Sequence, residues 1–206
     1  MPQTSNADSA IEAVMHAIHS LLETRDSVIV AIDGPCASGK TTFTAALQAK
    51  TGGTVIHIDD FFLRPEQRTE ARLQTPGENV DHERFLEEVL LPLRGKRAFS
   101  YKPYDCHTGA FKAPIAVHPA RLFIVEGSYS CHSSLWDSYD LRIFLQVQPE
   151  VQQQRILLRN GASGLKNFTE KWIPLENQYF SAFDIAARCD LRLSLRECLT
   201  TQKATQ

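Results

Sequence analysis

Hydrophobic residues along the chain form short unbroken runs, separated by longer stretches in which apolar residues recur at helical spacing. The runs predict β-strands at residues 27–33, 54–58, 121–125, 141–147 and 190–195. Continuous apolar runs are typical of parallel strands buried on both faces, whereas half-exposed strands alternate apolar and polar residues. The pattern therefore predicts an α/β fold: a five-stranded parallel sheet with helices on both faces.

Helical spacing fills most of the intervals between these runs. It predicts helices at 11–22, 39–50, 81–91, 150–159 and 169–188. Proline lacks the backbone N–H that a helix interior needs. We therefore expect Pro92 to end the third of these helices and Pro174 to interrupt the last.

The chain of 206 residues has the length of one domain. We divide it into an N-terminal helix that packs on the core (1–26), a main domain (27–195) and a C-terminal tail (196–206). Residues 61–79 show no period and are rich in Arg, Glu, Pro and Gly, so we interpret them as a functional excursion from the sheet. Residues 98–104 are a candidate short strand or hairpin arm.

Charge and composition argue against several kinds of partner. The 22 basic and 24 acidic residues give 22 − 24 = −2, which favours neither nucleic acid nor an anionic membrane. No apolar run approaches the length of about 18 residues that a membrane span needs. The five cysteines are at unrelated spacings, and no Cys/His cluster has zinc-ligand spacing. We expect a cytoplasmic protein with reduced thiols, and its oligomeric state stays open.

The most specific motif is G-P-C-A-S-G-K-T at residues 34–41, between the first predicted strand and a helix. In a G-x-x-x-x-G-K-[ST] loop, backbone N–H groups converge on phosphate oxygens, the lysine reaches the outer phosphates, and the last hydroxyl ligates Mg²⁺. A plain linking turn would not explain a lysine and two threonines at the helix start. We therefore predict a nucleotide-phosphate site formed by Gly34, Ala37, Ser38, Gly39, Lys40, Thr41 and Thr42, with Thr41 as a metal ligand.

Carboxylates follow three of the predicted strands, at Asp33, Asp59 and Glu126. Because ligands bind at the carboxyl ends of parallel strands, we expect these residues to meet in space. Asp59 is a candidate general base for an acceptor hydroxyl, with the adjacent Asp60 as the alternative. Glu126 is predicted to belong to the Mg²⁺ shell, and the alternative is a strand-end acid that caps a loop.

Two arginines, Arg155 and Arg159, share one face of a predicted helix because they are four residues apart. Guanidinium groups placed in this way neutralise charge on a transferring phosphoryl group. The alternative is an ordinary solvated helix face. The glycine-rich residues 161–164 directly after this helix provide a candidate hinge for a short lid.

Taken in order, five short motifs resemble the uridine kinase and phosphoribulokinase branch of P-loop small-molecule kinases. They are the loop at 34–42, I-D-D-F-F at 58–62, N-V-D-H at 79–82, Y-D at 104–105 and V-E-G at 125–127. The resemblance extends over about residues 27–195. It implies a three-layer P-loop NTPase fold with a short lid, and MgATP as the phosphoryl donor.

The resemblance also implies roles for individual residues. The catalytic residues would be Asp59, Lys40, Arg155 and Arg159. The acceptor pocket would contain Asp59, Asp81, Tyr104 and His107. Asp81 also has the position of a helix N-cap, and capping does not exclude contact with a sugar.

The predicted activity is transfer of the γ-phosphoryl group of MgATP to a hydroxyl of a small metabolite, with a nucleoside as the first candidate. Uridine kinases usually read D-S-F-Y where this chain reads D-D-F-F at 59–62. Pantothenate, nicotinamide riboside, glycerate and sugar phosphates therefore stay open as acceptors. The alternative from another functional class is a nucleotide-binding regulatory ATPase that transfers no phosphoryl group to a metabolite. A guanine-reading N-K-x-D motif is absent from the sequence, although the choice between ATP and GTP stays open.

Overall fold

The computed structural model describes residues 3–5 and 7–195, and its centre is a sheet of parallel strands. In chain order the strands are β1 (Gln3–Ser5), β2 (Val28–Asp33), β3 (Thr54–His57), β4 (Phe99–Tyr101), β5 (Tyr104–Asp105), β6 (Ala110–Phe111), β7 (Ile115–Val117), β8 (Leu122–Glu126), β9 (Leu141–Gln146) and β10 (Leu191–Leu195). Six of them form the main sheet in the order β1-β10-β9-β2-β8-β3, and every neighbouring pair is parallel.

All five strands predicted from the apolar runs are present, which confirms the α/β fold with its five parallel strands. The sequence pattern missed the sixth, β1, which pairs with β10 and is itself an edge strand of the sheet. Its three residues are too few to give a recognisable run. The predicted tail at 196–206 lies outside the described residues, and the domain boundaries at 26 and 195 stay predictions.

Helices cover both faces of the sheet. They are α1 (Ala7–Leu22), α2 (Lys40–Thr51), α3 (Glu70–Gln74), α4 (His82–Phe85), α5 (Leu91–Arg94), α6 (Pro149–Asn167), α7 (Ile173–Ala182) and α8 (Ile185–Arg188). Within the part of the chain that the structure describes, no helix is both long and apolar enough to span a membrane.

The two faces of the central strand β2 belong to two separate cores, because successive side chains of a strand point in opposite directions. Val30 and Ile32 pack in the core that α1 and α2 cover, together with Leu47. Ile29 and Ala31 pack in the opposite core, under the helical residues 82–94 and α7. All six residues of β2 are buried, as expected for a strand in the middle layer of three.

The two proline expectations are wrong, and the reason is the same at both sites. A single π-helical turn precedes each proline, at Leu86–Leu90 before Pro92 and at Phe168–Trp172 before Pro174. In each turn the last bond spans five residues, from Leu91 N to Leu86 O and from Ile173 N to Phe168 O. The wider turn moves the carbonyl that a proline ring would strike, so both helices continue through their prolines.

Two small antiparallel pairs lie beside the main sheet, β4 with β7 and β5 with β6. The first confirms the strand expected within residues 98–104. The excursion at 61–79 contains one 3-10 turn, Pro65–Gln67, and the short helix α3. An isolated bridge between Phe62 and Val80 brings the two ends of the excursion together, so the segment leaves the sheet and returns to nearly the same place.

Candidate active site

The loop between β2 and α2 has a backbone that only small residues adopt without strain. Gly34 has φ 144°, and a Cβ there would lie 2.2 Å from the carbonyl oxygen of Leu145. Ala37 and Gly39 have φ 57° and 98°. Neither an acidic residue nor a side-chain cap occupies the first turn of α2. The positive end of the helix dipole and its unpaired N–H groups therefore remain suited to an anion.

A fully buried carboxylate, Asp33, holds the loop from behind. It accepts hydrogen bonds from the backbone N of Gly34 (2.6 Å), Tyr129 (3.1 Å) and Cys131 (2.9 Å), and from the Tyr179 hydroxyl (2.8 Å). Burial raises the pKa of Asp33 to about 6, and its hydrogen bonds with Cys131 and Gly34 oppose the rise. Asp33 thus stands at the predicted strand end, but it supports the loop and does not line the cleft in front of it.

A second buried carboxylate, Glu176 of α7, contacts the loop and also lines the cleft in front of it. One of its oxygens accepts from the backbone N of Cys36 at 2.8 Å, and the other accepts from the Ser128 hydroxyl at 2.8 Å. The Ser128 hydroxyl in turn lies 3.2 Å from the carbonyl oxygen of Gly34. Sequence reasoning missed Glu176 and Ser128, because neither belongs to a motif and both reach the loop from distant elements.

The Lys40 ammonium lies inside the loop, and the residue is only 8% exposed. It donates to the carbonyl oxygens of Gly34 (2.8 Å) and Pro35 (2.9 Å), and it lies 3.3 Å from the Ser128 hydroxyl. These oxygens hold a positive charge at the mouth of the phosphate loop. Ser38 adds a buried hydroxyl oxygen that has no hydrogen-bond partner in the described part of the protein. An ammonium group and an unpaired hydroxyl both fit phosphate oxygens.

The two predicted metal ligands lie next to each other. The Thr41 hydroxyl is 3.3 Å from Glu126 Oε1, and this carboxylate is nearly buried at the end of β8. A hydroxyl beside a carboxylate is a set of hard oxygen donors, which fits Mg²⁺. The same Glu126 oxygen contacts His57 Nδ1 at 2.6 Å, and this hydrogen bond is the main cause that raises the pKa of His57.

Strand β3 ends one residue earlier than predicted, and residues Ile58–Phe61 form a 3-10 turn. This turn directs the two adjacent aspartates to different surroundings. Asp60 accepts a hydrogen bond from the Tyr101 hydroxyl at 3.2 Å. Asp59 faces the cleft, with Oδ1 2.9 Å from where a Cβ on Gly127 would lie. Asp59 lines the cleft, and its carboxylate has no hydrogen bond to another described residue. Asp60 does not line the cleft.

The environment of Asp59 makes its carboxylate unusually basic. The side chain keeps an exposed surface toward the cleft, although the surrounding walls remove much of its solvent. This desolvation is the largest cause that raises the pKa of Asp59 to about 6; Lys40 lowers the pKa and Glu126 raises it. A carboxylate with such a pKa is ionised at neutral pH yet accepts a proton more readily than a free aspartate.

One cleft with a volume of about 960 Å³ brings most of the predicted site residues together. Its lining includes Ala37, Ser38, Gly39, Lys40, Thr41, Thr42, Asp59, His107, Glu126, Arg155 and Arg159. The expected convergence of the loop with the ends of β3 and β8 is therefore observed.

Two predicted acceptor residues are not among the described residues that line this cleft. Asp81 caps α4 by accepting from the backbone N of Arg84 at 3.2 Å, and its second oxygen accepts from Gln67 at 2.7 Å. Tyr104 is buried, with its ring centroid 5.5 Å from that of Phe111. The capping interpretation of Asp81 thus matches its contacts, while contact of either residue with an acceptor stays a prediction.

The arginine pair of α6 lies over the loop. Arg155 Nη1 donates to the carbonyl oxygen of Ala37 at 2.8 Å, and Arg159 lies with its guanidinium 5.7 Å from the Phe168 ring. Gly161 has φ 70° and ψ −179°, so the helix is kinked directly after the pair. The predicted helix stop is thus a one-residue kink, beyond which a second helical segment begins immediately.

The excursion and residues 168–172, which follow the kink, supply further walls of the cleft. From these elements the cleft is lined by Phe62, Leu63, Leu73, Asn79, Phe168 and Trp172. Hydrophobic periodicity could not have assigned these side chains to the cleft, because they lie in an irregular segment or next to a helix kink. The excursion therefore forms part of the site, as its composition had suggested.

Comparison with solved structures places this architecture among known folds. A protein named a possible uridine kinase, from Bacillus stearothermophilus, is 16% identical with a TM-score of 0.66, covering 90% of this chain and 99% of its own. A provisionally named fructose transport system kinase from Silicibacter sp. TM1040 is 20% identical with a TM-score of 0.65, covering 86% and 97%. The YGR205w protein is 16% identical with a TM-score of 0.63, covering 93% and 94%.

No protein-family model matches the sequence. The structural likeness covers nearly the whole chain, so the protein has the fold of P-loop kinases, as the order of its motifs had indicated. At these low identities the likeness shows the fold, and the chemistry of the site has to be argued from its own residues.

Replacing Glu176 by alanine tests whether this residue supports the phosphate loop. The change leaves the Cys36 N–H and the Ser128 hydroxyl without their acceptor, so we expect nucleotide affinity to fall about tenfold. Calorimetric titration with MgATP measures the effect. Glu170→Ala is the matched control, because Glu170 is exposed in the adjoining π-helical turn. Equal affinity of the two variants would remove Glu176 from this role.

Proposed function

We propose that the protein is an ATP-dependent phosphotransferase that phosphorylates a hydroxyl group of a small metabolite. One observation carries this proposal. A phosphate loop with a buried ammonium, a hydroxyl–carboxylate pair suited to Mg²⁺, and a carboxylate whose pKa is raised to about 6 line the same cleft. A module that only binds a nucleotide would need the first two and has no use for the third, whereas an ATPase could use the third on water, so the acceptor assay below separates the kinase from an ATPase.

In this proposal the loop binds the phosphates of ATP through its backbone N–H groups, the Ser38 hydroxyl and Lys40. Thr41 and Glu126 would hold Mg²⁺, which would supply positive charge to offset that of the ATP phosphates. Asp59 accepts the proton of the acceptor hydroxyl as the hydroxyl oxygen attacks the γ-phosphorus, and the bond from this phosphorus to the bridging oxygen breaks to release ADP. The raised pKa of Asp59, about 6, suits this task. A carboxylate with a pKa just below 7 is ionised at neutral pH and is also basic enough to accept a proton efficiently.

Phosphoryl transfer to an alcohol competes with transfer to water, so the cleft has to exclude water while ATP reacts. Arg155 already contacts the loop at Ala37, and Arg159 lies one helical turn further along α6. We propose that the kink at Gly161 allows the segment with Phe168 and Trp172 to close over bound substrates. Both arginines precede this kink, so from α6 their guanidinium groups would offset the charge of the transferring phosphoryl group while the segment after the kink closes.

The walls around Asp59 favour an acceptor that has both a flat apolar part and hydroxyl groups. Phe62 and Trp172 offer aromatic surface, while Asn79 and His107 offer hydrogen-bonding groups in the same cleft. A nucleoside combines these features, and one of the structural neighbours is named a possible uridine kinase. Nucleosides are therefore our first candidates, ahead of pantothenate, nicotinamide riboside, glycerate and sugar phosphates.

The four described cysteines are free thiols, in keeping with our proposal of a cytoplasmic enzyme.

A panel assay identifies the acceptor and tests the activity itself. Purified protein is incubated with MgATP or MgGTP and each candidate alcohol, and products that gain one phosphate are detected by mass spectrometry. We expect phosphorylation of a nucleoside, with ADP formed in equal amount. ADP release that is independent of every alcohol, and that rises only when a protein partner is added, would favour a regulatory ATPase.

Substituting Asp59 separates transfer from nucleotide binding. Asp59→Asn keeps the size of the side chain but cannot accept the proton, so we expect kcat to fall by about 10²–10⁴ with MgATP affinity retained. Lys40→Ala, by contrast, should lose both affinity and transfer. Asp60→Asn is the neighbouring control, because Asp60 contacts Tyr101. Parent-like turnover by Asp59→Asn would exclude Asp59 as the base.

The rate should depend on pH through Asp59. Because the base has to be ionised, kcat/KM should fall as the pH drops through about 6, approaching tenfold for each further pH unit. His57 also has a raised pKa and lies close by, so the profile should be repeated with His57→Asn. The inflection should persist in that variant. A rate that stays constant down to pH 5, or an inflection that disappears with His57, would contradict the assignment.

A further inference from the structure

Outside the cleft, one cluster of metal-ligating side chains has no role in the proposed reaction. Glu78, His82 and His132 each turn one ligand atom toward the others, and these atoms all lie within 4.8 Å of one another. His82 Nε2 is 3.0 Å from Glu78 Oε1, and His132 Nε2 is 3.9 Å from the same oxygen. The three residues come from the end of the excursion, from α4 and from the turn after β8, so the fold has brought them together.

An arginine orients the acidic part of this cluster. Arg72 Nη2 lies 3.2 Å from Glu78 Oε2 and 2.7 Å from Glu83 Oε2. The other oxygen of each carboxylate faces His82 Nε2, at 3.0 Å for Glu78 and 3.7 Å for Glu83. Groups that hold the outer oxygen of a carboxylate in this way are typical of the shell around metal ligands.

We propose that Glu78, His82 and His132 form a zinc site that stabilises the excursion. Two imidazole nitrogens with one or two carboxylate oxygens are a common donor set for Zn²⁺, whereas Mg²⁺ and Ca²⁺ prefer oxygen alone. Tetrahedral ligands at about 2.1 Å from a metal are about 3.4 Å apart. The separations of 3.0 and 3.9 Å lie on either side of that value. Glu83 or water would complete the coordination.

Binding requires a local adjustment of the two imidazoles. Their rings are stacked, with centroids 4.1 Å apart and planes at 15°, so the rings must turn to direct both Nε2 atoms at one ion. His132 Nδ1 accepts from the backbone N of Ser134 at 3.2 Å. A metal on Nε2 puts the ring proton on Nδ1, so this hydrogen bond is exchanged for the metal bond.

Metal binding would hold the end of the excursion (residues 61–79) in one position. An ion on these residues joins residue 78 to α4 and to the turn after β8, and the adjacent Asn79 lines the cleft. No sequence motif marks this site, because His132 is distant in the chain from Glu78 and His82 and the three residues lack zinc-finger spacing. The inference is independent of the proposed phosphotransferase activity.

The test uses the untagged, full-length protein after removal of metal by a chelator. Zn²⁺ is titrated by calorimetry, thermal unfolding is followed with and without Zn²⁺, and Co²⁺ serves as a spectroscopic probe of imidazole ligation. We expect one Zn²⁺ per chain, a higher unfolding temperature, and a Co²⁺ visible spectrum of tetrahedral type. His82→Ala and the isosteric Glu78→Gln should each weaken Zn²⁺ affinity at least about tenfold. His118→Ala, at an exposed histidine, should leave it unchanged.

Two results would overturn the site. One is the absence of stoichiometric Zn²⁺ binding by the parent protein. The other is binding that survives both substitutions but disappears in Cys131→Ser or Cys189→Ser, since these two sulfurs lie 4.0 Å apart and are the competing soft donors. Circular dichroism of the metal-free variants confirms that each is folded, so that lost binding reports on the ligands.

Discussion

The arrangement of the site depends on one buried carboxylate, that of Asp33. It ends the central strand and accepts four hydrogen bonds, which come from the phosphate loop, from the turn after β8 and from α7. A fully buried charge is costly unless its hydrogen bonds are satisfied, so these three elements are held in one geometry. Glu176 strengthens the arrangement from α7 by binding the loop at Cys36. The loop is therefore shaped by two buried carboxylates, of which Glu176 lines the cleft and Asp33 does not.

The fold and the phosphate loop were predictable because their signals are local. Buried parallel strands are continuous apolar runs, and the loop needs particular residues at fixed spacing. The meeting of Asp59 with Glu126 followed from topology, since parallel strands end at one edge. The supports at Glu176 and Ser128 were not predictable, because their contacts join distant parts of the chain. A single sequence carries no signal for such pairs.

Elsewhere the sequence rules failed where tertiary structure changed the local geometry. Pro92 and Pro174 lie inside continuing helices because a π-helical turn precedes each of them. Asp81 caps α4, as its position predicted, and also accepts a hydrogen bond from Gln67, while its contact with a sugar stays a prediction. The walls of the acceptor region come from an irregular excursion and a kinked lid, whose side-chain directions cannot be read from periodicity. The acceptor is for this reason the least predictable part of the site.

The most direct test of the account is a crystal structure of the protein with Mg²⁺ and a non-hydrolysable ATP analogue. The account predicts that the analogue's phosphates lie on the loop at residues 34–42, with the terminal phosphate between the Lys40 ammonium and the Asp59 carboxylate. The cation should lie beside Thr41 and Glu126. An analogue bound elsewhere, or a terminal phosphate that points away from Asp59, would contradict the central claim that this cleft aligns a triphosphate with a base.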